Sequence, residues 1–152
     1  MKDKRGFTLI ELIVILALAG IILSVVMSFF IANVKSYNRL NTESELQYQS
    51  QYMINYMTNK ILEAKNFNNA TKVFNEDEED DWFSFSIDGN HELYYNTESG
   101  TTRIGSYVNS LVINADRDEV TITLILNKDN AGDDTKNYPA HQTVKMRNYK
   151  PE

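Results

Sequence analysis

Residues 7–32 read FTLIELIVILALAGIILSVVMSFFIA, and the rest of the chain takes its meaning from this stretch. As a helix it extends roughly 39 Å at about 1.5 Å per residue, longer than the ~30 Å hydrocarbon core of a bilayer. It therefore predicts a membrane-spanning helix. One residue is out of place. A carboxylate such as Glu11, set deep in lipid, costs roughly 2.5–3.5 kcal/mol even on lenient insertion scales, and nothing else in the segment can pair with it. Either Glu11 snorkels to the headgroups or it has a partner outside its own helix. If the chain were cut before Phe7, the new α-amino group would lie four residues away, and a neighbouring copy could supply that amine.

The flanks add to this. Lys2, Lys4 and Arg5 against Asp3 give the first six residues a net charge of +2, so a chain of net charge −6 carries −8 on its remaining body. A short basic head before an apolar helix favours a cytoplasmic N-terminus, a preference weakened by Lys35 and Arg39 on the far side. The acidic body argues against nucleic acid as a partner, since phosphates are repelled. At 152 residues the chain has room for one compact domain. It has no cysteine, which removes disulfides, thiolate metal sites and cysteine nucleophiles together. A secretory signal peptide is the competing reading, with Ala17-Leu18-Ala19 as its cleavage site. Cleavage there would leave Gly20-Ile21-Ile22-Leu23 exposed at the new terminus, and Glu11 would interrupt the apolar core of the signal.

Arg5-Gly6-Phe7-Thr8-Leu9-Ile10-Glu11-Leu12 resembles the prepilin signal of type IV pilins and type II secretion pseudopilins. The resemblance implies cleavage between Gly6 and Phe7 by a membrane prepilin peptidase, and methylation of the Phe7 amine by the same enzyme. It assigns Glu11 to subunit assembly. It also implies other pilins and a membrane assembly platform as partners, with the bilayer as host before assembly. The location would be the inner cell membrane, head outside, and then a pilus or pseudopilus. Gly6 has no side chain to hinder a peptidase groove. Many pilins carry a proline part-way along this helix, whereas the prolines here are Pro139 and Pro151. Gly20, Ser24 and Ser28 are the candidates for loosening it instead.

Beyond Ala32 polarity rises but the helical period persists through Val34, Tyr37, Leu40, Leu46, Met53, Met57, Ile61 and Ala64. One helix is therefore expected to continue to Asn66 and to lay an apolar stripe on a domain. Tyr48, Tyr52 and Tyr56 belong with the two methionines as core and neighbour contacts. From Thr71 the signals are β. Strands are expected at Trp82–Ile87, Glu92–Asn96, Arg103–Ala115 with a bulge at Gly105, Val120–Leu126 and Gln142–Tyr149. Asp88-Gly89, Ser99-Gly100 and Asp116–Asp118 are the turns between them. The expected organisation is a leader at 1–6, an apolar helix at 7–32, its amphipathic continuation at 33–66 and a β-rich head at 67–152. The fold class is α+β, a long helix covering an antiparallel meander. A pilin head has this order, and LQYQSQYMINYMTNKILEA followed by WFSFSIDGNHELYY is most similar to W-type minor pilins and J-type minor pseudopilins.

Other chemistry is sparse. Two loops are rich in oxygen ligands: the run Glu76–Asp81, and Asp129, Asp133 and Asp134 around Gly132. Calcium takes six to eight oxygens, but neither loop has the spaced EF-hand pattern, and a solvated loop is the simpler reading. No cofactor is otherwise expected. His91 and His141 lack metal-ligand spacing, and no nucleophile elbow, P-loop or dinucleotide-binding glycine pattern occurs, so a structural subunit is expected and not an enzyme. Asn69-Ala70-Thr71 is a glycosylation tripeptide. The expected role is a minor pilin or pseudopilin, with secretion or competence DNA uptake among the machines it would serve. An alternative is a filament-displayed adhesin using Tyr94, Tyr95 and Tyr107 to contact ligand. Clustering of these aromatics in a groove would favour the adhesin, and burial under the helix would oppose it.

Overall fold

A computed structural model describes residues 8–75, 81–128 and 137–149. The chain divides into two units, one up to Asn41 and one from Thr42 onward. Helix α1 (Leu9–Glu63) supplies all of the described first unit beyond Thr8 and opens the second. In the first unit its large apolar side chains from Leu9 to Ile31 are exposed on every face, which suits lipid or other helices and not water. It is long and apolar enough to cross a membrane. Its polar side chains bond back to the helix: Ser24 Oγ donates to Ile21 O at 2.7 Å, Ser28 Oγ to Ser24 O at 2.9 Å and Asn33 Nδ2 to Phe29 O at 2.8 Å. Each of these three side chains thus has a donor satisfied within the helix. The helix runs unbroken through Gly20.

In the second unit α1 buries Leu46, Ser50, Met53, Ile54, Met57 and Ile61, a stripe at helical spacing. Two antiparallel sheets receive it. The first, in the order β1-β2-β3-β4-β5, contains β1 (Asn66–Asn68), β2 (Val73–Asn75), β3 (Trp82–Ile87), β4 (Leu93–Thr97) and β5 (Gly100–Gly105). The second contains β6 (Val108–Asp116), β7 (Glu119–Leu126) and β8 (Tyr138–Lys145) in that order. Alternation sorts the faces. Phe83 and Phe85 point inward from β3, and Val120, Ile122, Leu124 and Leu126 from β7. Phe74 stacks on Phe83 at 4.8 Å between ring centroids.

Four expectations differ from this structure. The helix stops at Glu63, short of Asn66, because Lys65 N–H turns to Asn75 O at 2.8 Å and Asn66 enters a strand opposite Asn75. The expected strand Arg103–Ala115 is two strands in different sheets. Ile104 is the extra residue of a bulge, since Leu93 faces Gly105 while Tyr94 faces Arg103. Tyr107 then takes a left-handed φ of 66° and sends the chain into the second sheet, so there are two meanders and not one. The β3–β4 turn does not use the freedom of Gly89. His91 holds the left-handed conformation (φ 61°), and Asp88 Oδ1 accepts the N–H groups of Asn90 and Glu92 at 3.0 and 2.9 Å. Finally, β8 begins at Tyr138, not Gln142, and ends at Lys145. Pro139 is tolerated because β8 is an edge strand. Beyond Lys145, Arg147 N–H goes to Leu62 O at 3.1 Å.

Candidate assembly site

The described part of the N-terminal site is the start of α1. The first orphan N–H groups of a helix need acceptors, and the side chain before the first turn is the usual source. Thr8 fills that position: its Oγ1 accepts Glu11 N–H at 3.3 Å and faces Glu11 Oε2 at 3.5 Å. Leu12 N–H closes the first turn onto Thr8 O at 3.2 Å. Thr8-Leu9-Ile10-Glu11 thus forms the threonine-to-glutamate pattern of a capping box. Glu11 sits in the first helical turn, where the positive end of the helix dipole favours a carboxylate. Sequence reasoning singled out Glu11 for its charge and passed over Thr8, although the T-x-x-E spacing before an apolar run was there to be read. Gly6 and Phe7 lie outside the described residues, as do Asp129, Asp133 and Asp134.

The other candidates are not brought together. His91 is a turn residue whose Nδ1 meets Val108 O at 3.2 Å, and His141 Nδ1 lies 3.1 Å from Thr123 Oγ1 on an exposed sheet face. Among the described residues no group of three or more metal-binding side chains occurs. Tyr95 is only 9% exposed, packed edge-on against Tyr56 at 5.6 Å, with Lys60 Nζ 5.4 Å from its ring. Tyr94 is held by its hydroxyl, which donates to Glu92 Oε2 at 2.8 Å and is thereby pushed up in pKa. Tyr107 lies beneath Lys128, 5.7 Å from its ring centroid. None of these three tyrosines lines the open groove of about 260 Å³ formed by the exposed Tyr48 and Tyr52 on α1 with Gln49 and Arg103–Ser106. The Asn69 side chain bonds both backbone groups of Ala115, Nδ2 donating to Ala115 O and Oδ1 accepting Ala115 N–H.

Electrostatics fasten the head to the helix. Lys128 Nζ donates to Glu45 Oε2 at 2.5 Å, and this bond holds the Glu45 carboxyl below the usual carboxylate range. Lys145 does the same for Asp118 at 2.8 Å, and the Lys145 pKa rises in return.

The deciding observation is at the N-terminus. Residues 1–27 match the family model described as Prokaryotic N-terminal methylation motif. A match of this kind supports a type IV pilin or pseudopilin N-terminus. No curated protein and no solved structure matches the chain. For a pilin-like chain the parts agree. A motif read by the processing enzyme leads into an apolar helix suited to a membrane anchor, and the helix continues into a β-rich head.

Proposed function

We propose that the chain is a filament subunit, a minor pilin or pseudopilin of a type IV pilus-like apparatus, trimmed between Gly6 and Phe7 and methylated at the Phe7 amine. The precursor inserts with its basic leader in the cytoplasm and its head outside. The assembly platform then draws the helix out of lipid and into a bundle of pilin helices. Lateral packing replaces lipid contact, so the apolar faces of Leu9–Ile31 never meet water. Glu11 pairs with the methylated Phe7 amine of a neighbouring copy, which neutralises both charges as they leave the headgroup layer. Until then Thr8 and the helix dipole hold the carboxylate.

The observation that carries this reading is the methylation motif running directly into an exposed apolar helix. Intact mass and N-terminal sequencing of the protein from native membrane or sheared filaments test it. The expected mature chain starts at N-methylated Phe7. A chain still starting at Met1 is a plain membrane anchor, one starting at Gly20 is a secreted domain, and either result rejects the filament role.

A further inference from the structure

Between Leu12 and Thr42 the chain carries no Asp or Glu, and its charged side chains there are Lys35 and Arg39. Both lie on α1 just past the apolar run, and both are exposed, as is Tyr37 between them. Successive residues of a helix turn by about 100°, so Lys35 and Arg39, one turn apart, share a side while Tyr37 projects roughly opposite. Cations and an aromatic ring thus encircle the helix where its apolar stretch gives way.

The spacing along the helix matches a bilayer. At about 1.5 Å per residue, Lys35 lies about 36 Å and Arg39 about 42 Å along the unbroken helix from Glu11. A bilayer measures about 30 Å across its hydrocarbon and about 40–45 Å with its headgroups. The usual tilt of about 20° shortens the two intervals only slightly. Glu11 and the two cations therefore fit in opposite headgroup layers at the same time, and none of them has to carry its charge in hydrocarbon.

Phosphate is the counterpart such a collar meets at that depth. The apolar stem of Lys35 lies along the helix while its ammonium reaches outward. Arg39 also makes a contact elsewhere in the chain, and its fork of five N–H donors leaves room for a phosphate beside it. Tyr37 places an apolar ring and a polar hydroxyl in the layer where tyrosine is enriched. A zwitterionic headgroup offsets its phosphate with a cation of its own, whereas an anionic lipid leaves the negative charge for the protein. We propose that Lys35, Tyr37 and Arg39 form a collar that binds anionic phospholipid headgroups in the leaflet at the C-terminal end of the apolar run, holding the waiting subunit at a fixed depth. The inference rests on the membrane-anchored stage of the filament reading and names the lipid class within it.

The native absence of cysteine makes the test clean. Ser36→Cys takes an uncharged fluorophore between the two cations. The full-length chain is reconstituted in phosphatidylcholine vesicles holding equal small fractions of either phosphatidylglycerol or phosphatidylcholine, spin-labelled just below the headgroup. Quenching by the labelled phosphatidylglycerol should exceed that by the labelled phosphatidylcholine several-fold, from roughly fivefold per cation near an anionic surface. The excess should shrink as salt rises and fall to parity when Lys35→Gln and Arg39→Gln are added. It should survive Lys2→Gln, Lys4→Gln and Arg5→Gln together. Equal quenching by the two lipids, or a preference that follows the leader cations and persists without Lys35 and Arg39, overturns the collar and leaves the filament reading intact. Quenching by neither lipid puts residue 36 outside the membrane and overturns the collar's depth. A native chain still starting at Met1 rejects the filament role, while the lipid preference of the anchored chain is read independently of it.

Discussion

Among the described glycines Gly105 leaves least room for a side chain, and replacing it tests how the helix meets the first sheet. A Cβ built on Gly105 would overlap the Met53 side chain, passing 2.6 Å from Met53 Cγ. Its backbone is not in the left-handed region, so Gly105→Ala carries no conformational strain and the whole effect is steric. Overpacking of this kind costs about 1–3 kcal/mol. Met53 is fully buried, so Met53→Ala alone should cost about 2–5 kcal/mol through lost contacts and a cavity. In the double variant the new methyl group enters the space that Met53 vacates. The combined loss should then fall short of the sum of the two by about 1 kcal/mol or more. Urea unfolding of the detergent-solubilised full chain measures all three, with Trp82, the one tryptophan, as the fluorescent probe. Losses that add to within about 0.5 kcal/mol would show that Gly105 and Met53 do not touch, and the helix–sheet packing described above would be wrong.

Thr8→Val removes the helix cap and should cost about 1 kcal/mol locally. Amide exchange at Leu9–Leu12 in bicelles should speed up, and unchanged exchange would mean that Thr8 does not cap the helix. Glu45 and Asp118 have carboxyl pKa values depressed by Lys128 and Lys145, below ordinary values of 4.5 and 3.8. Their contribution to stability is present above those values and is lost as pH falls through the lowered ones. Lys128→Met should raise the Glu45 pKa toward 4.5 in a carboxyl NMR titration, and an unmoved titration would break the link. Asn69→Ala uncovers the β6 edge, so the solubilised chain should lose about 1 kcal/mol of stability and self-associate more by sedimentation. Unchanged stability and association would remove Asn69 from its covering role.

The long helix and the strands at Trp82–Ile87 and Val120–Leu126 were legible because one pattern dominates each of them. Apolar residues recur at helical spacing in the first case, and β-branched or aromatic residues alternate with polar ones in the others. The division between the sheets was not legible. It depends on a left-handed Tyr107 and on backbone bonds from Val108 and Asn127 to residues distant in sequence, neither of which leaves a local signature. Gly105 was noticed, but as a bulge signal. Its role in admitting Met53 is tertiary and invisible to periodicity. The start of β8 at Tyr138 was not legible because Pro139 reads as a strand breaker until the strand is known to lie at an edge. At the N-terminus Glu11 drew attention because a charge in an apolar run is conspicuous. Thr8, equally part of the arrangement, was hidden by being an ordinary small polar residue.

Asn127 is a buried polar residue just ahead of residues 129–136, and it acts as a mooring post. Its N–H is held by Tyr107 O at 2.8 Å and its side-chain amide by Asn137 Oδ1 at 3.0 Å, while Lys128 is tied to Glu45. The chain is thus made fast on either side of residues 129–136 before that segment begins and after it ends. With the ends already pinned, lengthening such a segment adds only about 0.6 kcal/mol of closure entropy per doubling. Extra residues inserted between these two asparagines would accordingly cost little in closure entropy, which makes the interval the cheapest address for a grafted sequence.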